Sequence, residues 1–306
     1  MAKKKTPKEP YNILVLPAGG ARGAFQAAIL RYGLPEKKFH AVFGNSVGAL
    51  NGAMVAQGKL DVLQAIWEDM MAGEKYIFYS DFVKQDGTFN KWGAVKNIFR
   101  MRDMQAVASP NPLKNLLIDL VRLKDFETPF FCSSVSLMDQ EKHCFGNEDF
   151  EHSLELVLAI LASCSIPLFF PPVPTVRTKN ASYHQLVDGG LRDAAPLGKA
   201  VEHAKDLKDK EIHFTIINCH PNTGQPAPRK LNLRTIFSTM FNNMLDEIWK
   251  TDFELFRARN NQKGFESFSY EIITPEPQYY MPDAMDFRPM SIRENWQRGV
   301  EHATKI

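Results

Sequence analysis

The sequence predicts an α/β fold, a three-layer α/β/α domain with a mainly parallel central sheet. Residues 11–17 form a short apolar run that ends in a glycine-rich turn, and apolar residues then recur at helical spacing from Phe25 to Tyr32. A second apolar run at residues 39–43 passes through another glycine-flanked turn into a small-residue helix that stops near Gly58. Strands that alternate with helices in this way pair in parallel, and the helices cover both faces of the sheet.

The rest of the chain continues this alternation. Apolar spacing predicts further helices near residues 60–70, 113–123, 153–161, 197–204, 231–259 and 292–303, and strands near residues 130–137, 140–147, 185–188, 212–218 and 268–273. No internal repeat and no long linker divides the sequence. We therefore predict one domain over residues 11–306, with the motifs that carry chemistry in residues 11–204 and further strands and helices in residues 205–306.

The composition is that of an ordinary globular protein of 306 residues, of which 44% are hydrophobic and 24% are charged. The 37 Lys and Arg residues nearly balance the 35 Asp and Glu residues, and the excess lies in residues 1–10, which we predict to be a disordered basic tail. The remainder lacks the broad basic face of a nucleic-acid-binding protein, so no nucleic-acid partner is expected. The four cysteines show neither a C-x-x-C pair nor zinc-site spacing, which indicates free thiols, a reducing compartment and no metal site.

Two apolar segments are too short to export or anchor the chain. Residues 13–16 are fewer than the about 7 to 15 apolar residues of a signal peptide. Residues 156–176 carry no charged side chain, but Pro167 limits the helix to 11 residues, about 16 Å of the roughly 30 Å that a bilayer requires. We therefore expect a cytoplasmic protein in which a buried helix runs into a proline-rich turn.

The segment Gly44-Asn45-Ser46-Val47-Gly48 is a G-x-S-x-G motif between a predicted strand and a predicted helix. In such a nucleophile elbow the serine takes a strained backbone conformation, and the flanking glycines let strand and helix approach closely. The hydroxyl is then exposed at the helix N-terminus, where N–H groups favour negative charge. We interpret Ser46 as a candidate nucleophile; the alternative is that it only occupies a tight turn.

A second turn between a strand and a helix, Gly19-Gly20-Ala21-Arg22-Gly23, is a candidate oxyanion hole. Its glycines allow N–H groups to face a shared cavity without side-chain obstruction. Arg22 gains nothing from a helix N-terminus, so we expect another group to hold its guanidinium. A dinucleotide-binding fingerprint would need glycine in place of Ala18 and an acidic residue after the second strand, and the sequence has neither. A purely structural turn stays open.

Asp188 is a candidate base for Ser46, because it ends the apolar strand at residues 185–188 and precedes Gly189 and Gly190. Ligand-facing groups of α/β folds lie at such strand ends. A carboxylate is a weaker base than imidazole, so Asp188 would need burial to raise its pKa. Asp-Gly is also a common turn sequence, and from this segment alone a plain turn stays open.

Four blocks in this order resemble the patatin-like phospholipase family. They are residues 18–23, 44–48, 162–173 and 188–190, and the resemblance covers roughly residues 11–204. It implies a Ser–Asp dyad without a catalytic histidine, with Ser46 as the nucleophile and Asp188 as the base. It also implies an oxyanion hole formed by the glycine turn with Arg22, packing of residues 166–167 near the active site, no metal or organic cofactor, and a lipid or acyl ester as the substrate. The family turn usually has glycine where this chain has Ala18, and the extra methyl group is tolerable unless φ there is positive.

Two further segments have more than one interpretation. Residues 75–105 interleave aromatic and basic side chains, which suits either transient contact of a peripheral protein with a membrane surface or a cap with its own small core. The apolar stripe from Leu233 to Trp249, which includes Met240, is more typical of core packing than of a membrane or dimer face. No oligomeric state is predicted.

We predict a lipid acyl hydrolase of the phospholipase A or lysophospholipase type, which forms an acyl-enzyme on Ser46. One alternative is an acyltransferase or hydrolase with a Ser-Asp-His triad. The histidines after Asp188 have no distinctive sequence context, so we expect activity to survive their substitution; they are His203, His213, His220 and His302. The other alternative is a lipid-binding module without turnover.

Overall fold

A computed structural model of the chain describes residues 9–82, 90, 104–207, 210–220, 233–261, 268–276, 281 and 283–306. Most of the predicted tail at residues 1–10, and most of the aromatic and basic segment at residues 75–105, lie outside these ranges. Within them, no helix combines the length and the apolar character needed to cross a bilayer.

Eight strands of the described residues form one sheet with a parallel centre. They are β1 (Tyr11–Leu16), β2 (Ala41–Gly44), β3 (Phe130–Ser136), β4 (Lys142–Gly146), β5 (Val173–Arg177), β6 (Ser182–Asp188), β7 (Ile212–Ile217) and β8 (Ser269–Ile273). The order across the sheet is β5-β6-β3-β2-β1-β7-β8, and β4 pairs with β3. Along the order β3-β2-β1-β7-β8, each strand pairs in parallel with the next. β4 and β6 pair antiparallel with β3, and β5 pairs antiparallel with β6.

The helices of the described residues follow the predicted alternation. They are α1 (Gly23–Ala28), α2 (Val47–Ala56), α3 (Leu60–Ala72), α4 (Asn111–Leu120), α5 (Ser153–Ser163), α6 (Leu197–Lys205), α7 (Leu233–Asn260) and α8 (Pro289–Ala303). The helix predicted over residues 25–32 changes type part-way, and α1 passes into a π-helical turn at Ile29–Gly33. Short 3-10 turns at Gly20–Arg22 and Gly189–Leu191 follow β1 and β6, at two places where the sequence predicts site residues.

Alternating residues of β1 explain why the fold has three layers. Leu14 and Leu16 pack with α1, α2, α3, α5 and α8 on one face, and Ile13 and Val15 pack with α6 and α7 on the other. All four side chains are fully buried. β1 is thus covered on both faces, as a central parallel strand requires. The predicted α/β/α fold class is confirmed.

β5 is a strand where the sequence predicts only a proline-rich turn. Proline has no N–H to donate and is excluded from central strands, so Pro174 argues against a strand at this position. Among the described strands, β5 lies at the edge of the sheet and pairs only with β6. An edge strand tolerates proline because one of its sides forms no ladder hydrogen bonds.

α7 does not bury all of the predicted apolar stripe. Met240, which belongs to that stripe, is 67% exposed. The buried side chains of the helix include Phe241, Leu245, Trp249 and Phe256. The prediction of core packing therefore holds for part of α7 only, because packing against the sheet selects which apolar side chains are covered.

Candidate active site

β2 and α2 place Ser46 at a sharp turn between them. Ser46 has φ 53° and ψ −126°, a conformation with positive φ that non-glycine residues seldom adopt. Its N–H donates to Ser163 Oγ at 3.0 Å, and α2 begins at the next residue, Val47. This is the strained backbone that the sequence predicts for a nucleophile elbow.

Both glycines of the elbow lie directly against other backbone atoms. A Cβ atom at Gly44 would be 2.1 Å from Gly48 O, and one at Gly48 would be 2.0 Å from Leu16 O. Cβ atoms do not approach backbone oxygens so closely, so α2 packs against β2 and β1 only because these positions have no side chain. The G-x-S-x-G spacing therefore has the physical cause that the sequence analysis assigned to it.

Asp188 lies at the end of β6, with its carboxylate toward Ser46. Ser46 Oγ donates a hydrogen bond of 2.7 Å to Asp188 Oδ2, and Gly190 N–H donates to Asp188 Oδ1 at 2.7 Å. A Cβ atom at Gly189 would be 2.3 Å from Ser133 O, so the glycine lets the chain turn away past β3. In the described part of the chain, no hydrogen bond joins a histidine to Ser46 or to Asp188.

Burial raises the pKa of Asp188 from 3.8 to about 7. The residue is 3% exposed, and removal from water disfavours the charged form of a carboxyl group. The hydrogen bonds from Ser46 and Gly190 oppose this effect, because both favour the carboxylate. A carboxylate whose pKa lies near neutrality is a stronger base than an ordinary aspartate, which meets the requirement stated from the sequence.

Three of the five amides predicted for the oxyanion hole already have acceptors. Ala21 N–H donates to Ala284 O at 2.8 Å, and Arg22 N–H donates to Gly19 O at 3.1 Å. Gly23 N–H, at the end of the 3-10 helix Gly20–Arg22, donates to Gly20 O and Ala21 O. These amides hold the turn in place.

The amides of Gly19 and Gly20 are the two that remain. Among the described residues, neither donates to another backbone group. Gly20 has φ 53° and lines the same cavity as Ser46, so this position both favours glycine and adjoins the serine. Ala18 is not among the residues with positive φ, so its methyl group fits the turn.

Arg22 is fully buried beside α7. Its Nη1 lies 3.9 Å from Asp246 Oδ1. The guanidinium thus has the partner outside its own turn that the sequence predicts, since a cation gains nothing from the helix N-terminus.

An apolar cavity that opens to solvent lies beside Ser46. Trp67 Nε1 donates to Asn51 Oδ1 at 3.1 Å, so the polar atom of Trp67 has a partner and its ring adds to the apolar wall. Ile166 is part of the same wall, as the resemblance implies. The residues that line the cavity are Gly20, Ser46, Val47, Leu50, Ile66, Trp67, Met70, Ile77, Leu113, Cys164, Ile166, Phe170 and Phe287.

Comparison with known families decides the kind of protein to which this site belongs. A family model described as patatin-like phospholipase matches residues 14–201, more than half of the chain, and this match includes Ser46, Asp188 and the glycine turn. The chain belongs to the patatin-like phospholipase family. This membership supports lipid acyl hydrolase activity in general, with lipid esters as the class of substrate.

Solved structures are also similar to this chain. The crystal structure of VipD from Legionella pneumophila matches over 97% of this chain and 67% of that chain, with 11% sequence identity and a TM-score of 0.37. No curated protein matches the sequence significantly. In the described residues, no group of three or more His, Cys, Asp or Glu side chains is arranged to hold a metal ion.

Two side chains that the sequence did not single out hold the elbow in place. Asn45 is fully buried; its Oδ1 accepts hydrogen bonds from the N–H and the hydroxyl of Ser133 at 3.0 and 2.9 Å, and its Nδ2 donates to Asp193 O. Cys164 Sγ donates to Ser46 O at 3.1 Å, and burial raises the pKa of this thiol well above its usual range. Both residues lie inside blocks that carry the family resemblance, which is the signal that could have found them.

Proposed function

We propose that this member of the patatin-like family hydrolyses fatty acyl esters of phospholipids or lysophospholipids, with Ser46 as the nucleophile and Asp188 as the base. The observation that carries the proposal is the 2.7 Å hydrogen bond from Ser46 Oγ to Asp188 Oδ2. A nucleophile and its base must lie within such reach for the hydroxyl to be activated. The pair is buried and adjoins an apolar cavity, as hydrolysis of a lipid ester requires.

In the first half of the reaction, Asp188 accepts the proton of Ser46 as Oγ attacks the ester carbonyl carbon. The carbonyl oxygen becomes an oxyanion, and the Gly19 and Gly20 amides stabilise it. When the tetrahedral intermediate collapses, the bond to the alcohol breaks and Asp188 returns its proton to the leaving oxygen. The products of this half are the free alcohol and an acyl ester of Ser46.

In the second half, the Asp188 carboxylate takes a proton from water while the water oxygen attacks the acyl ester. The same amides stabilise the second oxyanion. Collapse of this intermediate breaks the bond to Ser46 Oγ, which recovers its proton from Asp188. The fatty acid leaves and both residues return to their initial states.

A dyad performs these steps without a histidine, because Asp188 takes the position that a triad gives to imidazole. In a triad, imidazole lies between the serine and a carboxylate. Here the serine hydroxyl donates directly to the carboxylate, and the pKa of Asp188, about 7, is close to the value of about 6.5 for free histidine. This comparison favours the dyad over the triad alternative.

The apolar cavity is suited to the acyl chain of the substrate. The side chains around Ser46 in this cavity are apolar apart from the Cys164 thiol, so an acyl chain entering it gives up no hydrogen bonds. Each methylene that is buried contributes about 0.8 kcal/mol. Reactivity should therefore rise with the length of the acyl chain until the cavity is full.

A two-part experiment tests the proposed function. The wild-type protein and Ser46→Ala are first treated with a fluorophosphonate, and the labelled peptide is located by mass spectrometry. Both proteins are then incubated with a mixed lipid extract, and the lipids that disappear and the fatty acids that form are identified. We expect Ser46 to be labelled and fatty acid to be released only by the wild type. A protein that binds lipid but is neither labelled nor active would be a lipid-binding module instead.

Gly20→Ala tests the oxyanion hole. The new Cβ atom would be 2.2 Å from Ala284 O, and φ at this position is 53°, so the turn must shift and its amide must move. We expect kcat to fall by about 10²-fold or more, because removal of one oxyanion donor has an effect of that size. The measurement is turnover of a short acyl ester for each Ser46 that the fluorophosphonate labels.

Gly198→Ala in α6 is the matched control. A Cβ atom at Gly198 would meet nothing within 4 Å, and the position lies outside the cavity. We expect its turnover to equal that of the wild type. Equal turnover in Gly20→Ala and Gly198→Ala would contradict the assignment of Gly20 to the oxyanion hole.

Met70→Trp tests the acyl site. The larger side chain projects from α3 into the cavity and shortens the space for the acyl chain. Exclusion of two methylenes costs about 1.6 kcal/mol, so we expect kcat/KM for a long-chain ester, relative to a short-chain ester, to fall about tenfold. Met290→Trp, at a position that is 73% exposed, is the control and should keep the wild-type ratio. A wild-type ratio in Met70→Trp would mean that the acyl chain binds elsewhere.

A further inference from the structure

His220 is a buried histidine that the reaction steps above do not use. It follows β7, the parallel neighbour of β1, so it lies at the same edge of the sheet as Ala18, which follows β1. The residue is 1% exposed, and the Trp249 ring stacks on it with the ring centroids 6.5 Å apart. Buried ring nitrogens need hydrogen-bond partners, and one of these partners is Ala18, directly before the glycine turn.

Both ring nitrogens of His220 lie against acceptors. Nε2 is 2.7 Å from Ala18 O, and Nδ1 is 2.9 Å from Asp246 Oδ1. A carbonyl and a carboxylate can only accept, so in each contact the ring nitrogen is the donor. The charged groups beside the ring are Asp246 and Arg22, whose Nη1 is 3.9 Å from the same Asp246 oxygen. With both nitrogens engaged, the ring has none available as a base for Ser46.

The Ala18 carbonyl oxygen, 2.7 Å from His220 Nε2 and 3.6 Å from Cys219 Sγ, is held on the side of the peptide opposite the Gly19 N–H, and His220 makes the shorter of the two contacts. The two groups belong to one trans peptide, in which the carbonyl and the N–H point in opposite directions. Ala18 N–H donates to Ala194 O at 2.8 Å, which fixes the preceding peptide as well. Gly19 and Gly20 have no side chains to restrict their backbone dihedrals, so this orientation depends on contacts from outside the turn.

The hydrogen bond from His220 to Ala18 O strengthens the Gly19 amide as a donor. Hydrogen bonds in a connected chain polarise one another, and a donor at the carbonyl oxygen makes the N–H of the same peptide more positive. In this molecule the connected hydrogen bonds run from the Asp246 carboxylate through the His220 ring to Ala18 O and the Gly19 N–H. A more positive N–H binds an oxyanion more strongly.

We propose that His220, held by Asp246, is a positioning residue that directs and strengthens the Gly19 amide for the oxyanion. The inference rests on the proposed acyl hydrolysis at Ser46. It replaces, for His220, the expectation that activity survives substitution of every histidine after Asp188. For His203, His213 and His302 that expectation stays a prediction.

The test compares His220→Phe, which removes both donors, with His220→Gln, whose amide keeps a donor for Ala18 O. His203→Phe is the matched control, because His203 contacts Tyr11 at the other end of β1. Turnover of a short acyl ester is measured for each Ser46 that a fluorophosphonate labels, so misfolded protein is not counted. We expect kcat of His220→Phe to be about 10- to 100-fold below the wild type with KM nearly unchanged, since the oxyanion forms only after binding.

His220→Gln should recover most of the lost kcat, and His203→Phe should match the wild type. A wild-type kcat in His220→Phe overturns the inference. A His220→Gln variant as slow as His220→Phe also overturns it, because the loss then comes from packing and not from the donor. If His220→Phe yields no labelled protein, Asp246→Asn takes its place: a lower kcat with unchanged KM supports the inference, and a wild-type kcat overturns it.

The proposed function fails by a different result. In that case the wild-type protein itself is not labelled at Ser46 and does not hydrolyse the ester, and the inference about His220 falls with it. A labelled and active wild type whose kcat does not depend on His220 removes only the inference.

Discussion

Ser46→Ala is expected to abolish ester hydrolysis, with kcat at least about 10⁴-fold below that of the wild type. The substitution removes the oxygen that would form the acyl-enzyme, and Asp188 then has no hydroxyl to deprotonate. The cavity and the glycine turn are unchanged, so the variant should still bind the ester. Steady-state kinetics on a short acyl reporter measures the loss, and binding of a non-hydrolysable lipid analogue checks that the cavity is intact.

Ser291→Ala is a matched control for the serine substitution. Ser291 is a buried serine of α8 whose hydroxyl donates to Asp286, and it does not line the cavity. We expect this variant to keep wild-type kcat and fluorophosphonate labelling. Retention of more than about 1% of turnover in Ser46→Ala would be incompatible with a Ser46 acyl-enzyme.

Asp188→Asn is expected to lower kcat by about 10⁴-fold, because an amide cannot accept the proton of Ser46. The wild type should show the same dependence on the base in its pH profile. The pKa of Asp188 is about 7, and only the carboxylate accepts a proton, so kcat/KM should rise with pH and level off above about pH 7. At pH 5 about 1% of the base is ionised, which predicts a rate about 100-fold below the plateau.

Asp252→Asn distinguishes Asp188 from a second carboxyl group whose pKa is also about 7. Burial raises the pKa of Asp252 to about 7 as well, but its carboxylate accepts from Ala195 N–H and does not contact Ser46. We expect this variant to keep both the turnover and the pH profile of the wild type. If the pH profile shifts in Asp252→Asn, the pH dependence comes from Asp252 and not from Asp188.

The raised pKa of Asp188 also predicts that Asp188→Asn is more stable than the wild type at pH 8. In the unfolded chain the pKa is near 3.8 and in the folded chain about 7, so between these values the folded state binds more protons and stability falls as pH rises. The full penalty, present above pH 7, is up to about 4 kcal/mol. Thermal unfolding should show a higher Tm for Asp188→Asn at pH 8 and a difference near zero at pH 4. Equal Tm values at pH 8 would contradict the burial cost.

The sequence allowed prediction of the elbow at Ser46 and of the turn after Asp188, because local backbone geometry demands particular residue types there. Gly44 and Gly48 are needed where α2 touches backbone oxygens, and Gly189 is needed beside Ser133 O. Such requirements leave a short motif at a fixed spacing. The alternation of apolar strands with helices likewise predicted the fold class, since both faces of a central strand are buried.

The partners that hold the glycine turn could not be predicted, because they come from distant segments with no local pattern. Ala284 O accepts the Ala21 N–H across 263 positions of the chain, and His220 approaches Ala18 only because β7 pairs with β1. A lone histidine or a backbone carbonyl has no sequence signature. Their contribution depends on strand order, which the motifs do not specify.

β7 belongs to the central sheet but lies outside the part of the chain that sequence similarity identifies. The family match ends at residue 201, yet β7 lies beyond it and pairs with β1 near the middle of the sheet. A shortened protein that ended at residue 201 would retain the whole family match. One edge of β1 would then have no hydrogen-bond partner, and such an exposed edge promotes pairing between molecules. Expression and fusion boundaries for this chain therefore belong beyond α8, which packs in the same core as Leu14 and Leu16 of β1.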